Sequence, residues 1–172
     1  WKRLAEEEPG SVALETMLRG VCKKENFLDL FENFILYDHS GGNTAKILAR
    51  NHQYLGVNEA MKAYAARKLN GGKLGVFWHT QGSGKSYSMV FLAQKIRRKV
   101  EGSPTFVILT DREELNAQIS DTFENCGLLG KTKASQFIAS SGDDLVQKLK
   151  GNPSFIFTLI QKFNKPTEEA IY

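Results

Sequence analysis

Gly75-Val76-Phe77-Trp78-His79-Thr80-Gln81-Gly82-Ser83-Gly84-Lys85-Ser86 is the stretch on which the fold turns. The apolar run at 74–78, flanked by glycines, reads as a strand. Residues 85–100 read as an amphipathic helix with Met89, Leu92, Ala93, Ile96 and Val100 on one stripe. A strand feeding a Gly-rich loop that opens a helix is the order that a phosphate cradle demands. Gly82 and Gly84 let backbone N–H groups turn inward around phosphate oxygens without Cβ clashes, with Ser83 between them. The helix start adds unpaired N–H groups and the positive end of its dipole. Lys85 then suits the β- and γ-phosphates of ATP, and the Ser86 hydroxyl suits Mg²⁺. One position departs from the strict pattern: His79 stands where the loop begins with Gly.

Downstream, strand and helix signals alternate. Gly102-Ser103-Pro104 turns the chain into a strand over 105–110, and Asp111 with Glu114 reads as a capping box. The following helix buries Leu115, Ile119, Phe123 and Cys126. A loop over 127–142 holds a strand at 136–139, and a helix at 143–149 and a strand at 154–160 follow. This alternation predicts an α/β fold with a parallel sheet. Upstream, the first forty residues read as helical. Ser11 is the expected N-cap for Leu14, Met17, Leu18 and Val21, and a second apolar series runs from Phe27 through Ile35. Asp38-His39-Ser40-Gly41-Gly42-Asn43 stops it. The expected organisation is a helical linker over 1–43 and a nucleotide-binding domain over 44–172. Between this boundary and the loop, 46–49 precede a helix with Tyr54, Val57, Met61, Tyr64 and Ala65 on one face, ended by Asn70-Gly71-Gly72.

Composition excludes several classes. Apolar residues make up 41% of the 172, which fits a globular domain and excludes disordered and fibrous chains. No apolar run approaches the roughly 18 residues of a membrane span. Cys22 and Cys126 form no metal-binding or disulfide spacing and read as buried thiols in a reducing cytoplasm. The chain starts at Trp1 without a readable leader and reads as a piece of a larger protein. Residues 1–40 hold 5 Lys and Arg against 8 Asp and Glu, so the net charge of +4 comes from the rest of the chain. A basic second part is compatible with a polyanionic partner but does not prove one. Arg97-Arg98-Lys99 close a helix, where cations favour the dipole. His39 and His52 have no acid–base partner at readable spacing.

With the loop in place, the chain resembles the restriction (R) subunit of type I restriction–modification enzymes, whose motor belongs to helicase superfamily 2. Four stretches carry the resemblance: Arg50-Asn51-His52-Gln53-Tyr54, 78–86, 110–118 and 157–163. A His at the position of His79 is usual there, and 26–34 is similar to the segment joining an upstream nuclease domain to the motor. The resemblance implies a partial RecA-like domain in an ATP-driven translocase of double-stranded DNA. It implies methylation (M) and specificity (S) subunits as partners. It makes Gln53 the adenine-contacting glutamine, a role for which an amide has the right donor and acceptor. It assigns Asp111 and Arg112 to DNA backbone contact, and Thr158 and Gln161 to coupling or DNA contact.

Other roles stay open for three of these residues. Asp111 could hold Mg²⁺ at the end of an apolar strand, or only cap a helix, and Thr158 and Gln161 could be ordinary strand-end residues. The acidic box and arginine finger that such a motor needs are not in the sequence, nor is a nuclease constellation. The expectation is a half-motor, inactive alone, with the acidic box beyond Tyr172 and the nuclease before Trp1. Another superfamily 2 helicase or remodeller, or a nucleotide-gated module without turnover, are the alternatives.

Overall fold

A computed structural model describes residues 1–5, 7–10 and 12–163. The chain divides into two compact units, Trp1–Val100 and Glu101–Tyr172.

The first unit opens with α1 (Leu14–Val21) and α2 (Lys24–Asn33). Ala13 is the N-cap residue of α1; Ser11 lies outside the described residues. The apolar stripe of α1 is largely open, with Leu14, Met17 and Leu18 all exposed. A correction concerns 35–38. These residues form β1 (Ile35–Asp38), which pairs antiparallel with β2 (Ala45–Leu48), instead of prolonging the helix. The run Ile-Leu-Tyr suits a pleated surface, and Leu36 is buried from that strand. The Gly-rich stop signal at 38–43 is the connection between the two strands.

α3 (Asn51–Ala65) and α4 (Lys85–Lys99) complete this unit. Its core joins Phe34, Tyr54, Val57, Val90 and Phe91, with Phe34 4.8 Å from the Tyr54 ring and 5.7 Å from that of Phe91. Burial first, and the Asp29 carboxylate second, push the Tyr54 phenol up to about 12. It therefore stays protonated and donates to Asn26 Oδ1 at 3.2 Å.

A polar ladder ties residues 29–38 to α4. The Tyr87 hydroxyl donates to Asp38 Oδ2, Gln94 donates to the Asn33 carbonyl, and Lys99 pairs with Glu32. In its middle Lys95, 8% exposed, reaches both Asp29 oxygens at 2.6 and 2.7 Å and Asn58 Oδ1 at 2.6 Å.

The strand expected at 74–78 does not form. These residues make no strand pairing, and Val76 is 94% exposed. An isolated extended run has no hydrogen bonds of its own, so apolar composition cannot make it a strand without a neighbouring ladder.

The second unit is the expected parallel arrangement on a small scale. β3 (Phe106–Thr110) lies beside β4 (Phe155–Leu159) in register Phe106↔Phe155 through Thr110↔Leu159. The strand expected at 136–139 contracts to a bridge between Ile138 and Phe157, preceded by a single 3₁₀ turn. α5 (Glu113–Asn125) and α6 (Gly142–Lys150) pack on these strands, with Phe123 edge-on to Phe155 and Phe157 at 5.3 and 5.4 Å. Ser141 caps α6 by accepting from the Asp144 N–H. The cap of α5 falls one residue later than expected. Arg112, not Asp111, is its N-cap residue, and no side-chain capping bond is made. Among the described residues no helix is long and apolar enough to cross a membrane. The thiols are not both buried, since Cys22 is exposed and Cys126 half-buried.

Candidate nucleotide site

The loop at 79–84 has the backbone that its glycines allow. Gly82 and Gly84 have φ of 75° and 86°, in the left-handed region that a side chain resists. Gly84 is constrained twice, because a Cβ there would sit 2.9 Å from the Gln53 amide nitrogen. At Gly82 a Cβ would meet nothing within 4 Å, so the mouth of the loop is open. Gly84 is also the N-cap residue of α4, whose first residue is Lys85. Lys85 Nζ donates to the His79 and Thr80 carbonyls at 3.1 and 3.0 Å, folding its charge over the loop. Ser83 Oγ is buried without a hydrogen-bond partner among the described residues. Ser86 lies in the first turn of α4, half-buried.

α3 holds this loop from outside. Gln53, 3% exposed, accepts from the Arg50 N–H at 2.8 Å and donates to the Gly84 carbonyl at 3.0 Å. One amide hydrogen and one lone pair are thereby used, which leaves one of each. His52 Nε2 lies 3.0 Å from the Ser83 carbonyl. The sequence offered no partner for His52 because this one is 31 residues away. Gly56 and Phe77 were also missed as site residues; only the flanking loop signalled Phe77.

At the first turn of α4, Asp38 takes hydrogen bonds from Tyr87 and from the Ser40 N–H. Burial raises the Asp38 pKa, but those hydrogen bonds outweigh it and hold the carboxyl below its ordinary value. An ionised Asp38 therefore pins the start of the loop-bearing helix.

Of the residues expected around nucleotide, Gln53, His79, Gly82, Ser83, Gly84, Lys85 and Ser86 are clustered in the first unit. Asp111, Arg112, Thr158 and Gln161 lie in the second. There the Gln161 amide donates to the Asp111 carbonyl at 2.9 Å, and the exposed Asp111 and Arg112 side chains approach to 3.6 Å. These three gather at the carboxyl ends of β3 and β4, where ligands of open α/β sheets collect. Thr158 differs: it lies inside β4, is 0% exposed, and its hydroxyl has no partner among the described residues. No group of three or more His, Cys, Asp or Glu able to hold a metal occurs among the described residues.

A Gly-rich loop with left-handed glycines, a lysine over its carbonyls and a helix opening from its end defines a phosphate-loop nucleotide-binding protein. A family model described as SWI2/SNF2 ATPase matches residues 52–171, and the chain belongs to that family. It is 40% identical over 163 residues to the type I restriction enzyme HindI endonuclease subunit of Haemophilus influenzae. That match covers 91% of this chain and 15% of the relative. A Methanocaldococcus jannaschii protein named for the endonuclease subunit of a type I restriction enzyme, MjaIXP, is 32% identical over 166 residues, or 93% of this chain and 15% of that one. The chain thus spans about 15% of the length of these relatives.

Proposed function

We propose that this chain is the ATP-binding part of the DNA-translocating motor of a type I restriction endonuclease R subunit. In that reading residues 1–43 join an upstream nuclease domain to the motor, and 44–172 begin its first RecA-like domain. The phosphate loop carries the proposal: its glycines are already in the conformation that turns N–H groups inward, and Lys85 already lies across it. Membership of an ATPase family and likeness to restriction endonuclease subunits support the rest.

On binding ATP, Lys85 would leave the His79 and Thr80 carbonyls for the β- and γ-phosphates, and Ser86 would ligate Mg²⁺. Ser83, with its buried hydroxyl, would gain a phosphate or loop partner. Gln53 would present its remaining amide hydrogen and lone pair to adenine. Asp111, Arg112 and Gln161 would meet the backbone of double-stranded DNA, and Thr158 would act behind them in coupling. Methylation and specificity subunits would be the partners of the parent protein in the cytoplasm.

Lys85→Ala in the full-length protein tests the core of this reading. It should lower DNA-stimulated ATP turnover by about 10²–10³, the usual worth of an electrostatic group aimed at developing charge. A variant that keeps most of its turnover would remove the phosphate-loop assignment.

A further inference from the structure

We propose that His52 and Gly56 of α3 form a clasp that sets the shape of the phosphate loop, which makes them positioning residues for nucleotide binding. The proposal rests on the phosphate-loop reading above.

The two residues are four apart and so share one face of α3. Gly56 offers that face a bare backbone, and the Phe77 ring occupies the space. A Cβ at Gly56 would lie 2.0 Å from one ring carbon of Phe77 and 2.6 Å from the next. Phe77 meets the His79 ring at 4.4 Å, and His79 meets the His52 ring edge-on at 4.7 Å. The rings therefore form a column that leaves α3 at Gly56 and returns to it one turn away at His52.

His52 then reaches the other end of the loop. A carbonyl only accepts, so at 3.0 Å from the Ser83 oxygen the Nε2 of His52 carries the hydrogen and donates. One side chain thus touches residue 79, where the loop begins, and residue 83, next to its last residue. Gln53 adds the bond to the Gly84 carbonyl beside it. This arrangement explains why the first loop position is His79 and not Gly. A glycine would give the column no ring to hold.

The physical consequence is preorganisation. A loop that ends in Gly82-Ser83-Gly84 loses backbone entropy when it closes on phosphate, and the clasp removes that loss in advance. His52 and Gly56 touch no phosphate themselves, so they act through the loop.

Binding of fluorescent ADP to the full-length protein, followed beside its melting temperature, tests the clasp. His52→Leu removes both the donor and the ring and should weaken ADP binding about tenfold with an unchanged melting temperature. His52→Gln, which restores a donor toward Ser83, should recover part of that loss. Gly56→Ala should also weaken binding, by displacing Phe77 and with it His79. The proposal is overturned if His52→Leu binds ADP like the parent protein, or if its affinity falls only as its melting temperature falls. If His52→Leu binds normally while Lys85→Ala does not bind, the clasp alone is wrong. If Lys85→Ala also binds normally, the phosphate-loop reading has failed with it.

Discussion

Replacing Lys95 by Met should cost more stability than any other single charge removal in the first unit, and the reason is geometric. The ammonium sits 2.6 and 2.7 Å from the two Asp29 oxygens and 2.6 Å from Asn58 Oδ1, over the Phe34 ring at 4.9 Å. Its side chain is 10% exposed and that of Asp29 21%. Met keeps the aliphatic stem and its packing but leaves the Asp29 carboxylate without its cation, with Asn33 at 2.9 Å and Asn58 at 3.4 Å as remaining neutral partners. Removing one member of a buried pair costs about 3–5 kcal/mol, because the other charge is stranded. The partial exposure of Asp29 favours the lower end, about 3 kcal/mol.

For a chain of this length each kcal/mol shifts the melting temperature by about 2–4 °C, so the expected drop is about 6–12 °C. The double variant Asp29→Leu, Lys95→Met strands no charge and should recover to within about 1 kcal/mol of the parent. Urea unfolding of Lys95→Met, of Asp29→Leu and of the double variant reads both numbers. A Lys95→Met loss under about 0.5 kcal/mol would mean the ammonium is effectively in water and the ladder is not a buried tie. A double variant as unstable as the sum of the singles would mean that packing, not charge, carries the cost.

Two further outcomes follow from the site. Asp38 has a folded pKa below its ordinary value, so its ionised form contributes stability above the unfolded carboxylate pKa of about 3.9, and that contribution disappears as pH falls through the folded value. Asp38→Asn should therefore be destabilising at neutral pH, and its deficit should close as both proteins are unfolded at progressively lower pH below 4; a deficit that is constant with pH would exclude this linkage. Gln53→Ala should weaken ATP and GTP together through the lost bond to Gly84, with an additional ATP-specific loss on the order of 1–3 kcal/mol if the amide also meets adenine. Equal losses in parallel titrations of the two nucleotides would leave Gln53 as a support of the loop alone.

What could be read from the sequence is what is decided within a few neighbouring residues. Gly82, Gly84 and the helix after them announce themselves because left-handed glycines and helical spacing are local properties. β3 and β4 were legible for a similar reason, as short apolar runs bounded by turns. β1 was not, since Phe34 and Ile35 continue the spacing of Phe27, Leu30 and Phe31, and only pairing with 45–48 separates strand from helix there. The cap of α5 slipped by one residue, within the ordinary fraying of helix ends. His52, Gly56 and Lys95 carried no signal because their meaning lies in partners 21 to 66 residues away.

Residues 74–78 show where the local and the distant parts of the site separate. As a strand they would have carried the loop, yet among the described residues they pair with no strand, and Gly82 and Gly84 still take the left-handed conformation. Phe77 touches Gly56 of α3 and, though itself 39% exposed, is less open than Val76 and Trp78 on either side of it, which are 94% and 77% exposed. Phe77 and His79 fix the loop from its entrance, and His52 and Gln53 fix it from its exit. Both holds on the loop thus come from α3 and from the rings it touches. A strand at 74–78 would add its own hydrogen bonds to a loop that α3 already holds.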